Sequence, residues 1–110
     1  MVELQKLLNL QKELDRNVLL FVKYNKKKNI DILDIIRALQ HELIELENEF
    51  NWKWWENDKI IDYKKVKEEI IDLFFFLFSL CNKINIDEKE IDNLYFNKFM
   101  INRKRLMKGE

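Results

Sequence analysis

The sequence contains no proline, a single glycine next to its end and a single cysteine in 110 residues. Without proline there is almost nothing to break a helix, and with only Gly109 there are few signals for tight turns. Cys81 has no second cysteine to pair with inside the chain, which suits a reducing compartment and a structural role within its apolar run. With no cysteine cluster and one histidine, His41, a zinc site of ordinary composition has no ligands to draw on. His41 is read as a surface or interface residue.

Long hydrophobic runs are also missing. The longest, Ile70 to Cys81, is too short to span a bilayer, and Met1 to Leu20 alternates charged and apolar residues, unlike a signal peptide. Twenty basic and twenty acidic residues cancel, so no excess of one sign points to nucleic acid or an anionic membrane. The composition therefore predicts a soluble, cytoplasmic protein with no nucleic-acid or membrane partner.

What is present is apolar and helix-forming. Hydrophobic residues make up 47% of the chain, including eight Phe, three Tyr and three Trp, which excludes disorder. Four periodic segments follow. The first carries Leu4, Leu7, Leu8, Leu14, Val18, Phe21 and Val22 on one stripe and ends near Lys23 to Lys28, read as a loop. The second starts at Asn29 or Asp31, either of which can cap it, and runs through Ile36, Leu39, Leu43 and Leu46 towards Phe50. Asn51 to Asp58, with its three tryptophans, interrupts the pattern.

The third segment takes its stripe from Val66, Ile70, Leu73, Leu77 and Leu80 and is apolar nearly all round, as a helix central to a bundle would be. In the fourth, Asp87 and Glu90 predict a capping box before Ile91, Leu94, Tyr95 and Ile101. The expectation is one all-α domain over 1–110, a bundle of about four helices. So short a chain buries a modest share of its surface, and a homo-oligomer, a homodimer first, is expected to cover the rest.

Acidic pairs supply the first chemical signal. Glu42 and Glu45 share one face of the second helix, and Glu69 and Asp72 repeat the spacing on the third. Either pair alone also fits a solvated face. Asp72, however, is the only ionisable residue between Ile70 and Cys81, where an unpaired carboxylate is costly and requires a cation or hydrogen-bond donors. If the two helices pack together, four carboxylates converge, and hard oxygen ligands of this kind suit Mg²⁺.

Two further faces are oddly polar. Gln11 and Asp15 interrupt the first helix's stripe one turn apart, either as ligand contacts in a cleft or as a buried structural hydrogen bond. Lys98, Asn102 and Arg105 continue one face of the fourth helix, either complementing its dipole or binding phosphates.

Together these segments resemble the dimeric, all-α dUTPase family, within the all-α nucleotide pyrophosphatase superfamily. Leu10 to Asp15 is similar to the family's opening helix, and Ala38 to Glu49 to its first metal-binding helix. Trp52-Lys53-Trp54-Trp55 resembles the aromatic-Lys-aromatic-Trp element, Glu69 to Asp72 the second acidic motif, and Lys98 to Gly109 the closing K…N…R…G segment. Glu56, Phe75, Asp15 and Glu110 depart from the residues common in the family at their positions.

The resemblance implies an enzyme that hydrolyses dUTP, with dUDP as a further candidate substrate and Mg²⁺ as cofactor. It implies Glu42, Glu45, Glu69 and Asp72 as metal ligands, with one carboxylate of the Glu42/Glu45 pair positioning the attacking water. Lys53, Lys98 and Arg105 would hold phosphate oxygens, with Asn102 positioning the nucleotide. Gln11 and Asp15 would face the uracil edge, and Trp55 would lie against base or sugar. A related enzyme acting on dCTP or another nucleoside triphosphate is the alternative, and a non-enzymatic helical interaction module is the third.

Overall fold

A computed structural model of the chain describes residues 3–24 and 30–109, with side chains at 3–17 and 30–109. It is all-α, with four helices: α1 (Leu4–Tyr24), α2 (Ile32–Asn48), α3 (Tyr63–Lys83) and α4 (Glu88–Met107). Helix α1 continues through Lys23 and Tyr24, while the remainder of the expected basic loop, together with the outer α1 stripe residues Val18, Phe21 and Val22, lies outside the described side chains.

Side-chain caps start the helices. The Asp31 carboxylate accepts from the Asp34 backbone N–H at 2.9 Å, and Asp34 returns a bond from the Asp31 N–H at 3.1 Å, a complete capping box at α2. Asp62 accepts from the Lys64 and Lys65 backbones at α3, and Asp87 accepts from Glu90 at 2.9 Å, the first of the two bonds expected at α4. Each such cap contributes about 0.5–2 kcal/mol.

Helix α3 ends without glycine. Asn85 adopts φ 60°, with the Ile86 N–H donating to the Cys81 carbonyl at 2.8 Å and the Asn85 N–H to the Asn82 carbonyl at 3.3 Å. This is the paired-bond helix terminus that usually uses glycine, and asparagine is the residue that best replaces it there.

Helix α3 is central, packing on both α1 and α2, whereas among the described residues α4 packs on α1 alone of the helices. The Glu88 backbone N–H donates to Gln5 Oε1 at 2.9 Å and ties the start of α4 to α1; Asn82 Nδ2 donates to the Leu8 carbonyl at 2.9 Å and ties α3 to it. Few apolar side chains are buried: among the described residues, Leu8, Ile35 and Val66, of which Leu8 is fully so. The expected α3 stripe is thus buried at Val66 but exposed at Ile70 and Leu77. An apolar cavity of about 510 Å³ runs between α1 and α3, lined by Leu4, Leu7, Leu10, Ile71, Phe74 and Phe78.

Candidate active site

The contact between α2 and α3 brings the two acidic motifs together. One carboxylate oxygen each from Glu42, Glu69 and Asp72 lies within 4.8 Å of the others. Glu42 and Glu69 are half-buried, and each keeps one oxygen, Oε2, buried with no hydrogen-bond partner. Burial raises the Glu42 carboxyl above its ordinary range, helped by the negative charges of Glu45 and Asp72, a hydrogen bond with Glu45, and Glu69. Glu69 is raised by burial first, then by Glu45, Asp72 and Glu49, against a smaller opposing pull from Lys65. Lys65 is itself engaged by Glu49 at 3.3 Å.

Three hard oxygen ligands, two of which keep a buried oxygen without a partner, fit a divalent cation, which would satisfy those oxygens and remove the repulsion. Glu45 stands beside this trio rather than in it. Its side chain is exposed, but it is near enough to raise both Glu42 and Glu69.

A cavity of about 410 Å³ opens from the carboxylates, lined by Glu42 and Asp72 and extending along α3 past Phe75 and Phe76 to Ser79 and Lys83. Gln11 and Asp15 line it from α1, so two of the sequence-predicted contact residues join the acidic motifs. They do so through a serine that sequence reasoning missed. Gln11 Nε2 donates to Asp15 Oδ1 at 2.9 Å and to Ser79 Oγ at 3.0 Å, and Ser79 Oγ donates to Asp15 Oδ2 at 2.8 Å. Lys83 was missed too; its Nζ donates to the Ile30 carbonyl at 3.0 Å, at the cavity margin. The available signal was register: Ser79 and Lys83 follow Asp72 at steps of seven and four, the spacing of one helix face.

Other predicted site residues stand apart. Lys53 lies on the loop between α2 and α3, 3.9 Å from Glu56 and with its Nζ 5.5 Å from the Trp52 ring centre. It lines a separate polar cavity of about 250 Å³ with Asn48, Asn51 and Lys59. That loop is built: Asn51 receives the Lys59 N–H and donates to the Lys59 carbonyl, both at 2.9 Å, and Lys59 Nζ caps the Asn48 carbonyl at the end of α2 at 2.6 Å. Trp55 sits edge-on between Trp52 and Trp54 and is exposed. Lys98, Asn102 and Arg105 are exposed on α4 and line neither cavity.

An all-α chain that presents a carboxylate cluster able to hold a divalent cation, at the mouth of a mostly apolar cavity, has the makings of a small-molecule site that works with a metal ion. The sequence profile of the dUTPase family matches residues 3–92, a span that includes both acidic motifs, the tryptophan loop, Gln11, Asp15 and Ser79. The chain belongs to this family, which supports a nucleotide pyrophosphohydrolase activity in general terms. The match ends before Lys98, Asn102 and Arg105. Neither the curated proteins nor the solved structures provide a match. Among the described residues no helix is long and apolar enough to cross a membrane.

Proposed function

We propose that the protein is a Mg²⁺-dependent dUTP diphosphatase, converting dUTP to dUMP and pyrophosphate, and that it works as a homodimer. The observation that carries this reading is that Glu42 and Glu69, each with a buried, unpartnered oxygen, cluster with Asp72 in a chain of the dUTPase family. Glu42, Glu69 and Asp72 would hold the cation. When bound, it supplies charge neutralisation for the triphosphate and its leaving group.

Glu45 lies beside the trio with an exposed side chain, so it is the member of the Glu42/Glu45 pair assigned to orient water and accept its proton. The water oxygen bonds to phosphorus, the bridge between the α- and β-phosphates breaks, and pyrophosphate leaves with the electron pair. Gln11 and Asp15 would contact the base, with Phe75 and Phe76 supplying apolar walls. Lys53, Lys98 and Arg105 are assigned to phosphate oxygens, Asn102 to nucleotide positioning and Trp55 to the base or sugar, from the family resemblance.

The test is a panel of dUTP, dUDP, dCTP, dTTP and dATP with pyrophosphate or phosphate detection, with Mg²⁺ and with EDTA. Release of pyrophosphate from dUTP that stops on chelation is expected. Undiminished turnover in EDTA would remove the metal from the reading, and a preference for dCTP would move the substrate to the alternative nucleotide.

A further inference from the structure

Gln11 and Ser79 are the buried polar side chains of the described residues, 5% and 4% exposed, and their hydrogen-bond arithmetic is closed on one side. A primary amide owns two N–H donors, a serine one O–H and a carboxylate none. Gln11 spends both of its donors, on Asp15 Oδ1 and Ser79 Oγ, and Ser79 spends its hydroxyl proton on Asp15 Oδ2. Turning the Gln11 amide over would set its oxygen against an Asp15 oxygen, acceptor to acceptor, while the Asp15 carboxylate holds the Ser79 proton and leaves the serine oxygen able only to accept. The polarity of the whole trio is therefore fixed. What remains unspent is acceptors: Gln11 Oε1, buried and without a partner, and the other lone pairs of Asp15.

All three residues line the cavity that begins at Glu42 and Asp72, and between the two ends stand the flat rings of Phe75 and Phe76. Lys83 Nζ, the donor that also lines this cavity, is held at its margin by the Ile30 carbonyl. The acceptors that Gln11 and Asp15 set at the end of an apolar slot match a planar ring that brings an N–H donor. The imide nitrogen of a uracil-type base carries that hydrogen. The corresponding ring nitrogen of cytosine carries a lone pair, which would meet lone pairs and leave buried polar atoms unpaired, a strong source of discrimination.

We propose that Ser79 is a positioning residue that locks Gln11 and Asp15 as acceptors, so that the cavity prefers a base with a ring N–H over one with a bare ring nitrogen. This inference rests on the reading of the cavity as the nucleotide site. Ser79 acts through its neighbours and not on the phosphates. Removing its hydroxyl frees one Gln11 N–H, which can then serve a ring acceptor, and leaves the carboxylate cluster untouched.

The experiment measures kcat and KM of wild type, Ser79→Ala and Ser79→Thr on dUTP and dCTP with Mg²⁺, beside thermal melts of each. Ser79→Ala is expected to reduce the dUTP-over-dCTP ratio of kcat/KM by about tenfold, the worth of one such hydrogen bond, mainly through KM. Ser79→Thr, which keeps a hydroxyl, is expected to restore the ratio. A Ser79→Ala enzyme that melts lower but keeps the wild-type ratio would overturn the inference and leave a packing role. A second measurement needs no variant: wild type should use N3-methylated dUTP at least about tenfold less well than dUTP, because the donor is gone, and equal use overturns the inference as well. Wild type that cleaves dUTP but fails these tests sinks the inference alone; wild type that cleaves no nucleoside triphosphate sinks the functional reading together with it.

Discussion

Glu42 on α2 and Glu69 on α3 each bury one carboxylate oxygen with no hydrogen-bond partner, and both lie within 4.8 Å of a ligand oxygen of Asp72. Like charges held this close in a partly desolvated setting oppose folding unless protons or a cation neutralise them. The same geometry that makes the cluster costly alone makes it a good receptor for a divalent ion.

The cost has a sign in pH. Glu42 and Glu69 are raised above the ordinary value of 4.5 in the folded protein, mainly by burial and then by neighbouring carboxylates. For an acid so raised, the folded state binds the proton more tightly than the unfolded chain does. Stability is therefore gained as pH falls through the folded value and levels off below the ordinary one. In EDTA, the melting temperature of wild type should rise from neutral pH towards about pH 5, and the Glu42→Gln/Glu69→Gln variant should show a smaller rise. A variant with the full wild-type slope would place the effect elsewhere.

The helix starts were legible in the sequence because a short acidic side chain before a periodic run has one efficient use, and Asp31 and Asp87 both serve it. The acidic motifs were legible because Asp72 stands out against its apolar neighbours. Ser79 was not, since a small hydroxyl between Phe78 and Leu80 looks like filler, and its role depends on α1 docking alongside it. The Asn51–Lys59 clamp joins residues eight apart outside any periodic element, and periodicity is silent there. Nor does periodicity name a helix's partner: α4 has the predicted cap and length, yet among the described residues it packs on α1 alone of the helices.

That arrangement bears on assembly. Ile71 and Phe74 of α3 and Leu10 of α1 are about half exposed beside an apolar cavity, and Phe96, Phe99 and Ile101 are similarly exposed on α4. Exposed apolar surface on this scale is expected to be covered by a second copy. Light scattering at micromolar concentration should give about twice the 13.7 kDa chain mass, and Phe74→Asp should shift the population towards monomer. A monomeric wild type would count decisively against the dimer.

Helix α4 also carries the part of the site that rests on resemblance alone. Lys98 and Arg105 are exposed and lie beyond the matched span, so truncating them should cost little stability. If they hold phosphate oxygens, Lys98→Ala and Arg105→Ala should each weaken nucleotide binding about tenfold through loss of a charge-assisted contact. Calorimetry with a non-hydrolysable dUTP analogue reads this directly. Unchanged affinity in both variants would return these residues to complementing the helix dipole.

Asp72 offers the sharpest separation of function from stability. Its charge raises both Glu42 and Glu69, and the ion pairs described in the structure do not include it. Asp72→Asn keeps the shape of the side chain and removes one negative charge from the cluster. Activity should nearly vanish, while the variant in EDTA should melt at the wild-type temperature or above it, the trade expected where function is held against strain. Excess Mg²⁺ should raise the melting temperature of wild type and raise that of the variant much less, because only a ligand bound to the native state stabilises it by mass action. An Asp72 paired with a buried cation would behave in the opposite way: neutralising it would strand the partner and cost roughly 3–5 kcal/mol, with or without metal. Melts of both proteins in EDTA and in Mg²⁺ distinguish the two cases, and a metal-free variant that melts well below wild type would refute the role of Asp72 as a ligand.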